Sequence, residues 1–149
     1  MFYIIEALVV GLYTILIFYL FSLLNIDLNI FILLFLIGFF KHFFGYYIGL
    51  HYYYCNYGEK CMNVNDNDND NDNDNDNDKN KYNSNSKILI IDSIYEGLIF
   101  IYFGSILKFI IKNRIVLFFI LGFFIHILSE FIGYHKYFCI NKCKKMIKL

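Results

Sequence analysis

Four long apolar stretches, separated by short or strongly polar segments, dominate the hydrophobic pattern of this chain. They cover residues 2–24, 30–54, 88–111 and 115–138. Each stretch is long enough to cross about 30 Å of hydrocarbon as a helix. Backbone groups in lipid must form their hydrogen bonds internally, and the alternating pattern of a membrane β-barrel is absent from the sequence. The pattern therefore predicts an all-α membrane protein with four transmembrane helices.

The polar segments between the apolar stretches predict how the helices are connected. Residues 25–29 and 112–114 are short turns, which favour two antiparallel helical hairpins over residues 1–62 and 88–138. Residues 63–87 contain seven consecutive Asn-Asp dipeptides and predict a disordered, low-complexity loop. Calcium binding by this tract is the weaker alternative, because the glycine and the terminal glutamate of an EF-hand loop are missing.

One stretch of sequence occurs twice in the chain. Residues 31–55 align with residues 115–139 at a constant offset of 84, with eleven identities. The duplication predicts two tandem hairpins that are parallel repeats, related by a pseudo-two-fold axis along the membrane normal. The identical pairs include His42/His126, His51/His135 and Cys55/Cys139.

Small residues recur at helical spacing on one face of each apolar stretch. A small residue at every fourth position lets membrane helices approach closely enough for dispersion forces and weak hydrogen bonds to hold them. The pattern predicts a compact four-helix bundle whose packing residues are Ala7, Gly11, Gly38, Gly45, Gly49, Ser93, Gly97, Gly122, Ser129 and Gly133.

The distribution of basic residues predicts the orientation in the membrane. The side shared by both termini and the central loop carries nine lysines, whereas the opposite side carries only Lys108, Lys112 and Arg114. This bias predicts that the termini and the central loop are cytoplasmic. From Lys136 onward the chain has five lysines and no acidic residue, so the tail at residues 139–149 is expected to contact anionic lipid headgroups.

Several ionisable residues lie inside the apolar stretches. The duplication places His42 opposite His126 near the bilayer midplane. Lys41 is expected to pair with Glu96 or Glu130, because a lone buried charge costs several kcal/mol. The favoured role of the histidines is structural hydrogen bonding. The alternatives are a proton or ion path and ligation of a b-type haem by the two histidines. The predicted intramembrane cluster is Lys41, His42, Glu96, His126 and Glu130.

A second set of residues lies at the predicted cytoplasmic ends of the second and fourth helices. His51 with Cys55, and His135 with Cys139, could form a tetrahedral zinc site. The favoured interpretation is that Glu6 and Asp92 pair with His51 and His135 and tie the helix ends together. On a regular helix His51 points away from His42, so the two sets cannot share one axis unless the helix changes direction.

The cysteines allow further interpretations that depend on the orientation. Cytoplasmic thiols are expected to be reduced, and Cys139 and Cys143 are then candidate palmitoylation sites. If the orientation is reversed, disulfides and a thiol oxidoreductase become the alternative.

The sequence contains no glycine-rich phosphate loop, no Ser/His/Asp pattern and no HExxH motif, so nothing in it indicates an enzyme. It predicts a small multi-pass scaffold or interaction protein in the lipid bilayer, which associates with itself or with another membrane protein. No cofactor and no nucleic-acid partner are expected. The alternatives are a transport or proton-conducting module and a membrane redox protein that binds haem or zinc.

Overall fold

The computed structural model describes residues 2–24, 27–57 and 81–138 of the 149-residue chain. These ranges contain only helices and turns, without a strand. The six helices are α1 (Phe2–Leu23), α2 (Ile30–Tyr47), α3 (Leu50–Tyr57), α4 (Lys81–Ile110), α5 (Arg114–Phe131) and α6 (Tyr134–Phe138). Helices α1, α2, α4 and α5 are long and apolar enough to cross a membrane. The predicted all-α class with four membrane-length helices is confirmed.

Asparagine side chains start the second helix of each hairpin. The Asn29 side-chain oxygen accepts a hydrogen bond from the backbone N–H of Phe31 at 3.0 Å. The Asn113 side-chain oxygen accepts from the N–H groups of Ile115 at 2.9 Å and Val116 at 3.3 Å. The first N–H groups of a helix have no partner within the helix, and these asparagines supply one. The short polar turns therefore set where α2 and α5 begin.

Each long helix packs mainly against a helix of the other hairpin. Helix α2 lies along α4 and α1 lies along α5, while contacts within each hairpin are fewer. The rings of Phe18 and Phe118 stack at the centre, with 4.7 Å between their centroids. The buried apolar core consists of Ile17, Phe18, Leu33, Leu34, Ile37, Phe100, Phe118, Leu121 and Ile125.

The outward-facing side chains of the long helices are also apolar. Phe109, Ile110 and Phe131 are 75%, 77% and 78% exposed, and many leucines and isoleucines on the same surfaces are about half exposed. An apolar surface of this extent is unusual for a protein in water and is expected for one surrounded by lipid. The structure therefore agrees with an integral membrane protein.

Four glycines allow the helix pairs to approach closely. A Cβ atom added to Gly38 would lie 2.9 Å from the carbonyl oxygen of Glu96, and one on Gly97 would lie 2.9 Å from that of Phe35. Helices α1 and α5 are equally close, because a Cβ on Gly11 or on Gly122 would lie within 3.2 Å of a carbonyl oxygen on the facing helix. These positions have no room for a methyl group. Ala7 and Ser93 are fully buried in the same bundle.

The helices expected over residues 30–54 and 115–138 are each divided in two. Gly49 and Gly133 have φ angles of +80° and +78°, a left-handed conformation that glycine adopts without the strain of a side chain. A Cβ on either would meet nothing within 4 Å. These two glycines are therefore turn residues and not the packing residues that the sequence pattern predicted. After each turn a short helix, α3 or α6, changes the direction of the chain.

Helix α4 begins earlier than expected. Its first residue is Lys81 and not Ile88, so the end of the predicted loop over residues 63–87 is helical. Residues 81–87 contain neither glycine nor proline, and nothing in them stops a helix that extends from the apolar stretch. The predicted loop at residues 63–80 and the basic tail at residues 139–149 lie outside the described residues.

Candidate functional site

A cavity of about 380 Å³ lies at the end of the bundle where α1 begins and where α2 and α5 end. Residues from all six helices line it. The sequence predicted two separate clusters of titratable residues, one at the midplane and one at the helix ends. The structure brings members of both clusters into one site that contains His42, His51, His126, His135, Lys41, Glu96 and also Glu6.

The turns at Gly49 and Gly133 make this convergence possible. The ring centroids of His42 and His51 are 4.6 Å apart, and those of His126 and His135 are 4.5 Å apart. Nine residues along a regular helix would have placed the two rings of each pair on opposite faces. Because α3 and α6 turn away from the long helices, the second histidine of each pair returns toward the first. The change of helix direction that would let His42 and His51 face one site is therefore present.

Helices α3 and α6 contact each other and hold the histidines between them. The Tyr54 ring lies 5.3 Å from the His135 ring, and the Phe138 ring lies 5.8 Å from the His51 ring. Tyr54 and Phe138 also contact each other, with 6.3 Å between centroids. Each aromatic residue thus packs on a histidine from the other hairpin, so both hairpins are needed to form the site.

A buried ion pair lies beside the histidines. Lys41 Nζ is 2.5 Å from Glu96 Oε1, and the two side chains are only 11% and 17% exposed. The ammonium group also lies 5.0 Å from the centroid of the Phe100 ring, within reach of a cation–π interaction. The pair joins α2 to α4, and Glu96 is one of the two partners that the sequence predicts for Lys41.

Two other carboxylates face histidines. Glu130 Oε2 and His135 Nδ1 are 2.9 Å apart, which is a hydrogen-bond distance. Glu6 Oε2 and His126 Nε2 are 3.8 Å apart, which is too long for a direct hydrogen bond. Glu130 therefore pairs with His135 of the same hairpin, and not with Lys41. The expected acids at this end were Glu6 and Asp92, whereas the hydrogen-bonded acid in the structure is Glu130.

Two of the predicted packing residues line the cavity. A Cβ added to Gly45 would have no neighbour closer than 3.9 Å, and the nearest atoms are His51 Nε2 and the Tyr13 ring. Ser129 lies on the lining of the same cavity. These two positions keep space open inside the bundle.

Sequence reasoning did not identify Tyr13 as a site residue. Its hydroxyl group is buried in the cavity and has no hydrogen-bond partner in the part of the chain that the structure describes. The same holds for His126 Nε2. Tyr13 lies seven residues after Glu6 and so falls on the same face of α1. That spacing is the sequence signal that could have found it.

Burial changes the acid–base behaviour of α6, which lies outside the membrane-length helices. It lowers the pKa of His135 from its ordinary 6.5, and the neighbouring His126 lowers this pKa further, against the opposing effect of the Glu130 hydrogen bond. Burial raises the pKa of Tyr134 to about 12, helped by the carboxylates of Asp92 and Glu96. At neutral pH His135 is therefore uncharged and Tyr134 is protonated.

Acidification is expected to destabilise the protein through His135. The unfolded chain binds a proton at this residue near pH 6.5, but the folded chain binds it only at lower pH. The free energy of unfolding should therefore fall as the pH drops from about 6.5 through the lowered pKa, and should then level off. The charged or titratable groups that act on His135 or contact it include Glu130, His126, Glu6 and, through its ring, Tyr54.

This expectation can be measured by denaturant unfolding of the purified protein in mixed micelles over about pH 8 to 5. His135→Gln should reduce the dependence of the unfolding free energy on pH. Tyr19→Phe, on the exposed face of α1, is the control. An equally steep dependence in wild type and His135→Gln would contradict the assignment.

Cys55 is fully buried and disulfide-bonded. The expectation of a reduced thiol is therefore contradicted at this position. A disulfide sulfur is not a thiolate, so Cys55 cannot at the same time be a zinc ligand. The other three cysteines, Cys61, Cys139 and Cys143, including the predicted palmitoylation sites, lie outside the described residues.

The described residues include no group of three or more His, Cys, Asp or Glu side chains in a metal-binding arrangement. Cys139, a member of the predicted zinc set, is not among those residues. For the haem hypothesis, His42 and His126 line the same cavity, and each lies against the second histidine of its own hairpin. Haem ligation stays a prediction.

Toward the hairpin turns the cavity ends at the apolar core. The buried residues on that side are hydrocarbon or aromatic, apart from Thr14, whose hydroxyl donates to the Val10 carbonyl oxygen at 2.8 Å. Lys108, on the far side, lies over the Phe31 ring at 4.7 Å. The side chains that the structure describes therefore form no continuous polar path from the cavity to the opposite end.

Comparison with protein-family models, curated proteins and solved structures finds no match to this chain. Any function has to be inferred from the chemistry of the cavity itself.

Proposed function

We propose that this chain is a small, non-enzymatic membrane protein that binds a ligand in the histidine-lined cavity at one end of its bundle. The observation that carries the proposal is the convergence of all four histidines on one cavity of about 380 Å³. Ligand pockets typically measure roughly 300–1,000 Å³. Polar and ionisable side chains inside a membrane bundle are costly, and their concentration in one place is typical of a functional site.

The shape of the cavity favours binding over conduction. A proton or ion path would need polar groups or water across the whole bundle, whereas the buried residues toward the hairpin turns are nearly all apolar. Proton exchange among the adjacent histidines and Glu130 is compatible with a binding site. Movement of protons from one side of the membrane to the other is the alternative that a flux measurement has to exclude.

We further infer that the two hairpins are tandem repeats related by a pseudo-two-fold axis that passes through the cavity. Contacts that match at the sequence offset of 84 support this inference. They include the two asparagine caps, the two left-handed glycines and the two pairs of adjacent, tilted histidine rings. The crossed contacts of Tyr54 with His135 and of Phe138 with His51 also match. Each repeat would then contribute one half of the ligand site.

For the orientation, the lysine bias supports cytoplasmic termini, with the basic tail on anionic lipid. The disulfide at Cys55 opposes this orientation, because disulfides are typical of oxidising compartments. We retain the charge-based orientation as the proposal. It predicts that a thiol introduced as Lys112→Cys is labelled by an impermeant reagent in intact cells. Labelling only after permeabilisation would overturn it.

Filling the cavity tests the proposed function. Gly45→Leu would place a side chain in the space between Tyr13 and His51, whereas Gly45→Ala adds a methyl group without a close contact. Native mass spectrometry of protein extracted from its own membrane should show a bound molecule in wild type and Gly45→Ala, and its loss in Gly45→Leu. Helix content, measured by circular dichroism, should be equal in all three.

Two results would contradict the proposal. One is identical bound mass in wild type and Gly45→Leu, which would place any ligand elsewhere. The other is pH-dependent proton flux in liposomes that is abolished by Gly45→Leu, which would favour the conducting alternative.

A further inference from the structure

Two hydrogen-bonding atoms in the cavity define what a ligand must supply. The Tyr13 hydroxyl and His126 Nε2 are buried and have no hydrogen-bond partner among the described residues. The His126 side chain is only 10% exposed. Leaving a buried polar atom unsatisfied costs about 1–3 kcal/mol. Because both atoms line the same cavity, one ligand could satisfy both.

Both atoms can donate a hydrogen bond to a ligand. A buried phenol has one O–H group that needs an acceptor. His126 Nε2 faces the Glu6 carboxylate oxygen across 3.8 Å, and a nearby carboxylate favours the tautomer that carries its proton on the facing nitrogen. The complementary ligand therefore presents acceptor oxygens to α1 and α5.

The charges around the cavity restrict the ligand further. Glu6 lines it and faces His126 Nε2 at 3.8 Å, so an anionic ligand would be repelled from the place where it could accept a hydrogen bond from His126. A cationic ligand could face Glu6, but its groups are donors and would leave Tyr13 and His126 unsatisfied. The charge of Lys41 is already balanced by Glu96 at 2.5 Å. The surroundings thus favour a neutral acceptor.

The remaining lining favours an apolar ligand body. Aromatic rings from α3 and α6 form much of the wall, and the cavity lies within a bundle whose outer surface is apolar. A molecule that reaches it from the bilayer has to be soluble in lipid. The aromatic lining residues are Tyr53, Tyr54, Tyr57, Tyr134 and Phe138.

We propose that the ligand is a neutral, membrane-soluble carbonyl compound whose oxygens accept hydrogen bonds from the Tyr13 hydroxyl and from His126 Nε2. This inference rests on the proposed function, since it names the class of molecule that the cavity binds. Two membrane components carry such oxygens: the head of a quinone, and the ester groups of a neutral glycerolipid.

Binding to purified protein in nanodiscs tests the ligand class. The neutral probes are a short-chain benzoquinone and dioctanoylglycerol, and the charged probes are decanoic acid and decylamine. One neutral probe should bind more tightly than either charged probe, and the better neutral probe identifies the source of the carbonyl. Tyr13→Phe keeps the ring and removes only the donor, so it should weaken this binding by about tenfold.

Matched variants separate ligand binding from folding. Tyr19→Phe removes a hydroxyl from an exposed position of the same helix and should bind as wild type does. His126→Gln retains an N–H donor and should bind more tightly than His126→Leu, which has none.

The outcomes distinguish this inference from the proposed function. Tighter binding of decanoic acid or decylamine, or unchanged binding in Tyr13→Phe, would overturn the carbonyl assignment. The proposed function would still stand if Gly45→Leu removed the bound molecule. Failure of every probe to bind would overturn the ligand class, and equal bound mass in wild type and Gly45→Leu would overturn the cavity as the binding site.

Discussion

Glu96→Gln will destabilise the bundle by about 3–5 kcal/mol, the usual cost of breaking a buried ion pair by removing one partner. Glutamine keeps the shape and one carbonyl oxygen of glutamate, but it leaves the Lys41 ammonium without its counter-charge. Lys41 is only 11% exposed, so bulk solvent replaces little of the lost interaction with the carboxylate. The Phe100 ring offsets only a small part of this cost.

A double variant distinguishes the loss of the ion pair from the loss of either side chain alone. Lys41→Met combined with Glu96→Gln removes both charges and should recover most of the lost stability, because a neutral buried pair costs far less than one unpaired charge. Lys112→Met, at an exposed position in the second hairpin turn, is the control and should change stability little. The measurement is the free energy of unfolding from titration with sodium dodecyl sulfate in mixed micelles. Equal losses in the single and double variants would show that the ion pair does not determine the effect.

Hydropathy was sufficient to predict the four long helices. An apolar run of about twenty residues in lipid can satisfy its backbone only as a helix, so α1, α2, α4 and α5 followed directly from composition. The turns at Asn29 and Asn113 followed for a similar reason, since a polar cap residue marks where the apolar run begins.

The glycines show why the rest of the fold could not be predicted. Gly38 and Gly49 both fit the spacing of small residues on one helix face. Gly38 is small because the Glu96 carbonyl oxygen approaches it, whereas Gly49 is glycine because its φ angle is positive. Periodicity cannot distinguish a residue chosen for space from one chosen for backbone conformation. The ends of α2 and α5 therefore became visible only in the structure.

Part of the candidate site could be recognised from the sequence, but its assembly at the helix ends could not. Lys41, Glu96 and the histidines were recognisable because ionisable groups in apolar runs are rare. Their union in one cavity depends on the turn at Gly49, which brings His51 back to His42. Tyr13 has no charge and fits any membrane helix, so its buried hydroxyl gave no sequence signal of comparable strength.

Gly38→Ala tests whether close packing between α2 and α4 positions this site. The added Cβ would lie 2.8 and 2.9 Å from Phe100 side-chain atoms and 2.9 Å from the Glu96 carbonyl oxygen. Phe100 Cβ and the Glu96 carbonyl oxygen are both fixed to the backbone of α4 and can move only with that helix, so α2 and α4 must separate. Overpacking of this kind typically costs about 1–3 kcal/mol.

Gly45→Ala is the matched control for Gly38→Ala, because it adds the same methyl group to the same helix, with no neighbour closer than 3.9 Å. Its unfolding free energy should equal that of wild type or exceed it by up to about 1 kcal/mol, because alanine is the better helix former. Glu96 supplies both the carbonyl oxygen at Gly38 and the carboxylate on Lys41, so separation of the helices should also weaken the ion pair. Adding Glu96→Gln to Gly38→Ala should then cost less than Glu96→Gln costs in wild type. Fully additive losses would show that the close contact at Gly38 and the Lys41–Glu96 pair are independent, and that helix packing does not position the charged side of the cavity.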